Sequence, residues 1–361
     1  MLAGAGVVLA HPLRALAEPA ARAHYAAARR GPDGRYSAAI FDDLGRDVSA
    51  VPLPGRGHDL TVCPRTRRCV VFARRPGNFA VVFAADRSVE PISFMTPLDR
   101  HFYGHGVFSR DGRLLYATEN DFEAGQGVIG IYDATHKFER IGEFPSYGIG
   151  PHDLALLRGA PVIVVANGGL REHPDFGGGR RILNPGAIEA SLVYIDLRSG
   201  ALLERHDLGK GGKISLRHLD VARGDTIVVG AQLEKGAVPG TPLVFVHRRQ
   251  KELEHYALPD GLVRRMSGYI SSVAVDRSGD AVAATSSRGA VAIVLDVASG
   301  KLLRRIELPD ISGVAAEREG GGFLMTTGLG LVAHARADEA EAPDTSQTTW
   351  QWDNHAVSLN G

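Results

Sequence analysis

The sequence predicts an all-β fold, a seven-bladed β-propeller whose last blade is shared by the N- and C-terminal strands. Three observations predict it. First, a histidine recurs at the start of short apolar strands: Gly57-His58-Asp59-Leu60, Gly104-His105-Gly106-Val107, Pro151-His152-Asp153-Leu154, Arg217-His218-Leu219-Asp220 and Asn354-His355-Ala356-Val357. A repeat of about 45 to 50 residues marks a propeller or array, whose units bury their faces against one another. Second, the apolar strands between these points come in fours, the rhythm of a propeller blade. Third, Tyr194-Ile195-Asp196-Leu197-Arg198-Ser199-Gly200 returns as Val294-Leu295-Asp296-Val297-Ala298-Ser299-Gly300. Both read as the hairpin joining the two outer strands of a blade, with Ser-Gly supplying the positive-φ turn.

The chain divides in order. Residues 1–17 read as the back half of an export signal: a short apolar stretch, then Ala15-Leu16-Ala17 as a cleavage pattern before Glu18. The charged front of such a signal, with a twin-arginine motif, would lie upstream; the alternative is a frayed helical tail. Residues 18–361 read as one propeller domain. Blade one takes 58–62, 69–73, 79–83 and 89–94. Blade two takes 104–109, 114–118, 128–133 and 138–144, with Asp111-Gly112 as a hairpin signal. Blade three starts at 152, continues at 162–167 and resumes at 191–196 after a long insertion. Blade four takes 217–222, 226–230, 243–247 and 253–257, and blade five 270–276, 281–285, 291–296 and 302–308. Blade six takes 312–316, 323–327 and 331–335, and the acidic, then polar run 338–347 reads as a mobile loop within it. Blade seven joins 355–359 to 24–29, 36–41 and 48–53, a closure that leaves no sheet edge between the first and last blades.

Composition agrees and excludes. The 44 glycines and 19 prolines in 361 residues suit a turn-rich β protein. Equal numbers of basic and acidic residues, 41 each, give no electrostatic case for nucleic acid or an anionic membrane. No apolar run is long enough for a transmembrane helix. The two cysteines, Cys63 and Cys69, flank a hairpin turn and can close a disulfide across it, as suits an exported protein. Two buried free thiols are the alternative, with redox catalysis a third.

In a four-stranded blade, the start of the inner strand and the loop joining strands two and three share a face. His58, His105, His152, His218 and His355 are therefore expected to ring one mouth of the channel. The long loops 119–127, 168–190 and 232–241 are expected on the same face, and function concentrates in loops on a rigid scaffold. Imidazole suits transition metals, and histidines converging on an axis can supply three or four ligands. Asp59 and Asp153 stand beside two of them as partners that would orient a ligand. Glu119, Asn120, Asn167 and Gln232 end second strands aimed at that face, and His101, Tyr103 and Arg217 adjoin strand starts. Of these, Glu119, Asn167 and Arg217 are taken as supports of the site. The competing reading is a purely structural ring. In the insertion, Arg171, His173, Asp175, Arg180 and Arg181 can form a lid. Gly177-Gly178-Gly179 beside two arginines is a weak anion signal, lacking a strand–loop–helix setting. His206 and His247 fall in outer strands and read as background. No nucleophile elbow, His-Glu-x-x-His or haem-attachment motif is present.

Several runs carry a resemblance: Arg100-His101-Phe102-Tyr103-Gly104-His105-Gly106, Tyr116-Ala117-Thr118-Glu119-Asn120-Asp121, Gly150-Pro151-His152-Asp153-Leu154, Ala166-Asn167-Gly168-Gly169 and Trp352-Asp353-Asn354-His355. Together they resemble an uncharacterised family of twin-arginine-exported periplasmic propellers, domain-of-unknown-function family 1513. The resemblance implies a periplasmic location. It also implies partners among imelysin-like and di-haem-like proteins, a setting of iron handling. The expectation is thus a periplasmic propeller that binds iron or copper at its histidines and serves metal acquisition. The rivals are a non-catalytic interaction scaffold and a propeller enzyme of the lactonase, quinoprotein or copper-reductase kind, the last on fold analogy alone.

Overall fold

Strands such as Val162–Asn167 and Val291–Asp296 are apolar almost throughout because both faces of their sheets are covered. The structure, a computed structural model, describes residues 24–359 apart from 177, 179, 180, 210, 211, 235–239 and 319. The export signal expected at 1–17 lies outside the described residues, as do Gly177, Gly179 and Arg180 of the glycine-rich segment. The described residues form seven four-stranded antiparallel sheets. The inner strands are Gly57–Val62, Arg100–Phe108, Pro151–Leu156, Ile214–Val221, Ser272–Val275, Ile311–Ala316 and Gln351–Ser358. Each inner strand packs against the next and the seventh packs against the first, closing a seven-bladed propeller. None of the described helices is long and apolar enough to cross a membrane.

Closure follows the expected scheme. Tyr25–Arg30 pairs with Gln351–Ser358, and the Leu359 N–H donates to the His24 carbonyl at 2.8 Å. The repeated hairpins also match. Asp196 and Asp296 both accept from the serine three residues on, and Gly200 and Gly300 both sit at φ +70°. Aspartates stitch neighbouring inner strands: Asp153 Oδ2 accepts from the Leu219 N–H at 3.0 Å, and Asp220 Oδ2 from the Val275 N–H at 2.8 Å. These bonds satisfy backbone donors on the innermost edge, where no further strand is available.

Three expectations are corrected. Residues 119–127 form little loop, because the strands Leu114–Asp121 and Gln126–Asp133 extend into that span. In blade six, Asp344–Gln347 is the fourth strand, paired with Leu331–Arg336, and not part of a loop. Cys63 and Cys69 form no disulfide: both are buried free thiols. Val62 pairs with Cys69, which places Cys69 among Leu60, Val71 and Val81 on one face of the blade. Cys63 packs with Val70, Phe72 and Phe108 on the other face. Burial pushes the Cys69 thiol up to about 12.

Candidate metal centre

Every one of the five histidines sits where its inner strand breaks register. In blade one, Gly57 pairs with Ala73 and Leu60 with Val71, leaving His58 and Asp59 between. The same interruption holds Tyr103 to His105, His152, Arg217 with His218, and Asp353 to His355. A β-bulge adds residues to one strand and re-aims a side chain. Here the result is convergence. Gly104 shows why the bulge needs glycine: its φ is +103°, and a Cβ would lie 2.6 Å from the His58 ring.

Taken in blade order, the rings form a closed circuit. Centroid separations are 5.0 Å from His58 to His105, 5.1 Å to His152, 4.7 Å to His218, 4.4 Å to His355 and 4.6 Å back to His58. All five are buried. Two groupings, His58–His105–His355 and His105–His152–His218, bring three ligand atoms within 4.8 Å of one another. Each ring also keeps a buried nitrogen without a hydrogen bond: Nδ1 of His58, His152 and His218, and Nε2 of His105 and His355.

The partners of His105 orient it. Its Nδ1 donates to Asp59 Oδ2 at 3.0 Å, with Asp153 Oδ1 at 3.4 Å, so Nε2 carries the lone pair. Ser272 Oγ lies 3.1 Å from His355 Nδ1, and Asp353 Oδ1 lies 3.5 Å from His58 Nδ1. Burial holds all five imidazoles below their usual pKa, His355 at about 4 and His58, His152 and His218 well below. At neutral pH the hub is therefore a ring of neutral imidazoles, the protonation state a metal takes. Burial raises Asp59 and pushes Asp153 up to about 6.

The expected supports divide. Asp59 and Asp153 stand at the hub, whereas Glu119 and Asn167 do not. Glu119 is fully buried, accepts from the Tyr132 hydroxyl at 2.5 Å and pairs with Arg140 at 2.9 Å, partners on outer strands of its own blade. Asn167 donates to the Ser146 carbonyl at 3.0 Å and holds a loop. His101 has both ring nitrogens bonded, to the Phe102 carbonyl and Asn120. Gln232 lies in a strand opposite Ser215. Arg217 is buried beside His218, 4.0 Å from Glu234, and burial lowers it to about 10.

The histidines do not open onto the face from which their strands start. On that side lie buried Tyr103, Arg217 and Glu172, the last supplied by the blade-three insertion and ion-paired with Arg75. The cavity that reaches the hub runs the other way, down the inner strands. Sequence reasoning also missed Asp353 and Ser272. Asp353 had a signal, a carboxylate two residues before a repeated histidine, where Asp59 and Asp153 follow theirs directly.

Residues 51–359, a span holding all five histidines, match the family described as "Protein of unknown function (DUF1513)". The chain belongs to the DUF1513 family. Among solved structures, the DUF1513 chain is similar to hydrazine synthase of Kuenenia stuttgartiensis, with a TM-score of 0.61 and 14% identity over 88% of this chain and 94% of that one. It is similar also to a functionally unknown protein of Desulfotomaculum acetoxidans, with a TM-score of 0.63 and 10% identity over 93% and 99% of the two chains. At such identities these likenesses show the propeller fold of the DUF1513 chain and nothing of its chemistry. No curated protein matches the sequence.

Proposed function

We propose that this chain is an exported periplasmic propeller that holds a transition-metal ion, copper or iron, in its histidine hub as an accessory to metal acquisition. One observation carries the reading: five buried imidazoles from five blades meet in a circuit, and each presents an unbonded nitrogen. An unpaired buried polar group costs about 1 to 3 kcal/mol, so five in contact are a poor structural device and a good ligand set. An all-imidazole set suits copper, iron, nickel or zinc, and among divalent ions copper is bound most tightly. Export is supported by the Ala15-Leu16-Ala17 pattern. A role beside imelysin-like and di-haem-like partners is supported by the family resemblance.

The test is elemental analysis of untagged protein from the periplasm beside a His105→Ala/His152→Ala variant. Near-stoichiometric metal is expected in the first and loss of it in a folded second. A protein that stays metal-free after exposure to copper, iron and zinc would overturn the reading.

A further inference from the structure

All seven inner strands line one axial cavity of about 630 Å3. It starts at the hub, where His218, His355, Asp59, Asp153 and Ser272 form its floor, and ends near exposed Arg158 and Arg277. At about 3.3 Å per strand residue, the run from Ser272 to Arg277 makes it roughly 15 to 20 Å deep. Its wall is mixed: Val107, Ala155, Val273 and Ala316 contribute apolar stretches, and polar groups share the surface about equally, with Asp276 near the outer end held by the N–H groups of Ser278, Gly279 and Ala281. Asp220 also faces it, but its carboxylate is already bonded to the N–H groups of Val221 and Val275.

That shape exceeds what an ion needs. A water takes about 30 Å3 in the liquid, and the Val and Ala stretches of the wall have no use for a hydrated ion. Sites for small organic molecules have volumes of about 300 to 1,000 Å3, are lined mainly by apolar groups and carry a few placed polar ones. Both three-histidine groupings include a floor residue, His355 in one and His218 in the other. An ion in either seat thus faces the cavity. Imidazole is an uncharged ligand and brings an ion no negative charge, and the carboxylates of Asp59 and Asp153 are turned to His105 Nδ1. An anionic donor arriving along the cavity completes such a site.

We propose that the axial cavity admits a small organic anion with an apolar body, whose carboxylate-type oxygen coordinates the hub metal while the body lies along the Val and Ala wall. This rests on the metal reading above and assigns a ligand class to the same site. The exposed Arg158 and Arg277 at the outer end favour approach of an anion.

The probe is octanoate, with acetate as the same head without the body. Both are titrated into copper(II)-loaded protein and followed by calorimetry and the copper absorption band. Octanoate is expected to bind in a 1:1 ratio at least 100-fold more tightly than acetate and to shift the band. Ala316→Trp, which places an indole on the wall, should weaken octanoate at least ten-fold with copper content unchanged; Ala155→Phe serves if the first variant fails to fold. An unchanged copper band, equal affinity for acetate and octanoate, or full affinity in the wall variants would overturn the proposal. The two readings fail separately. Protein without metal fails the metal reading in elemental analysis before any octanoate is added, whereas loaded protein indifferent to octanoate fails the cavity reading alone.

Discussion

Two histidine clusters in this propeller look alike by composition and differ in what their nitrogens do. At the hub, five rings touch and each retains an unbonded buried nitrogen. At the rim, Glu204 and His206 of Leu202–Asp207 meet His247 of Val244–His247, again with three ligand atoms within 4.8 Å. There the atoms are already committed. His247 Nε2 donates to the Lys251 carbonyl at 2.9 Å, and Nδ1 accepts from the Tyr194 hydroxyl at 2.5 Å. Glu204 takes Arg249 at 2.7 Å and the Gln250 N–H at 2.9 Å. Only His206 Nε2 is left over among the three. The difference teaches that proximity of ligand residues is a weak criterion. Unbonded nitrogens separate a set built to receive an ion from one that ties two outer strands together.

The largest effect expected to sharpen this contrast is on stability against pH in metal-free protein. The hub imidazoles stay neutral in the native state below pH 6.5, because burial lowers each of them. Unfolding returns them to water, where they take up protons below about pH 6.5. The unfolded chain then binds more protons than the native one, so stability rises with pH between about 4 and 6.5 and is lost as pH falls through that window. Asp59 and Asp153, whose native pKa values are raised, act in the opposite sense across part of it. Five imidazoles outnumber two carboxyls. Each imidazole that titrates only when unfolded contributes up to about 1.4 kcal/mol per pH unit, so a loss of several kcal/mol from pH 6.5 to 4.5 is expected. Urea denaturation at stepped pH measures it; a flat profile would show that the hub is not a set of neutral, desolvated rings.

Next in size is His247→Ala at the rim. It leaves the fully buried Tyr194 hydroxyl and the Lys251 carbonyl without their partner. A buried polar group stripped of its hydrogen bond costs about 1 to 3 kcal/mol, and that loss is expected in the urea midpoint with metal content unchanged. Metal loss in this variant would transfer ligand status from hub to rim.

Much of the fold was legible because propeller strands announce themselves: short apolar runs, Asp-Gly and Ser-Gly turns, and histidines recurring at strand starts. The cysteines were misread because a one-residue shift in pairing decides which face a side chain takes, and turn length alone does not give it: Cys69 stands opposite Val62, one residue before Cys63. The hub residues were legible as a repeat, but their convergence came from bulges, which the sequence marks only faintly, as with Gly104. Blade five supplies Ser272 from a strand that pairs without a register break, and it supplies no histidine. Glu119 and Asn167 were misplaced for a related reason. Ending a second strand puts a residue near one face, but their hydrogen bonds draw them to Tyr132 and Arg140 and to Ser146.

The smallest expected effect is the sharpest test of the contrast. His206 stands with its ring 4.1 Å from that of His247 and its Nε2 3.6 Å from Glu204, too far for a good hydrogen bond. Its own carboxylate neighbour is held by Arg249 and Gln250, so removing the ring strands no partner. His206→Ala should therefore change stability by no more than about 1 kcal/mol, since the ring gives up packing against His247 and no hydrogen bond. It should leave metal content unaltered and leave the pH profile as steep as before, since the slope belongs to the hub. If His206→Ala instead removed metal as completely as the His105→Ala/His152→Ala variant, the count of unbonded nitrogens would have failed to tell the two clusters apart. The leftover Nε2 of His206 would then mark a second ligand set in the outer strands of blades three and four.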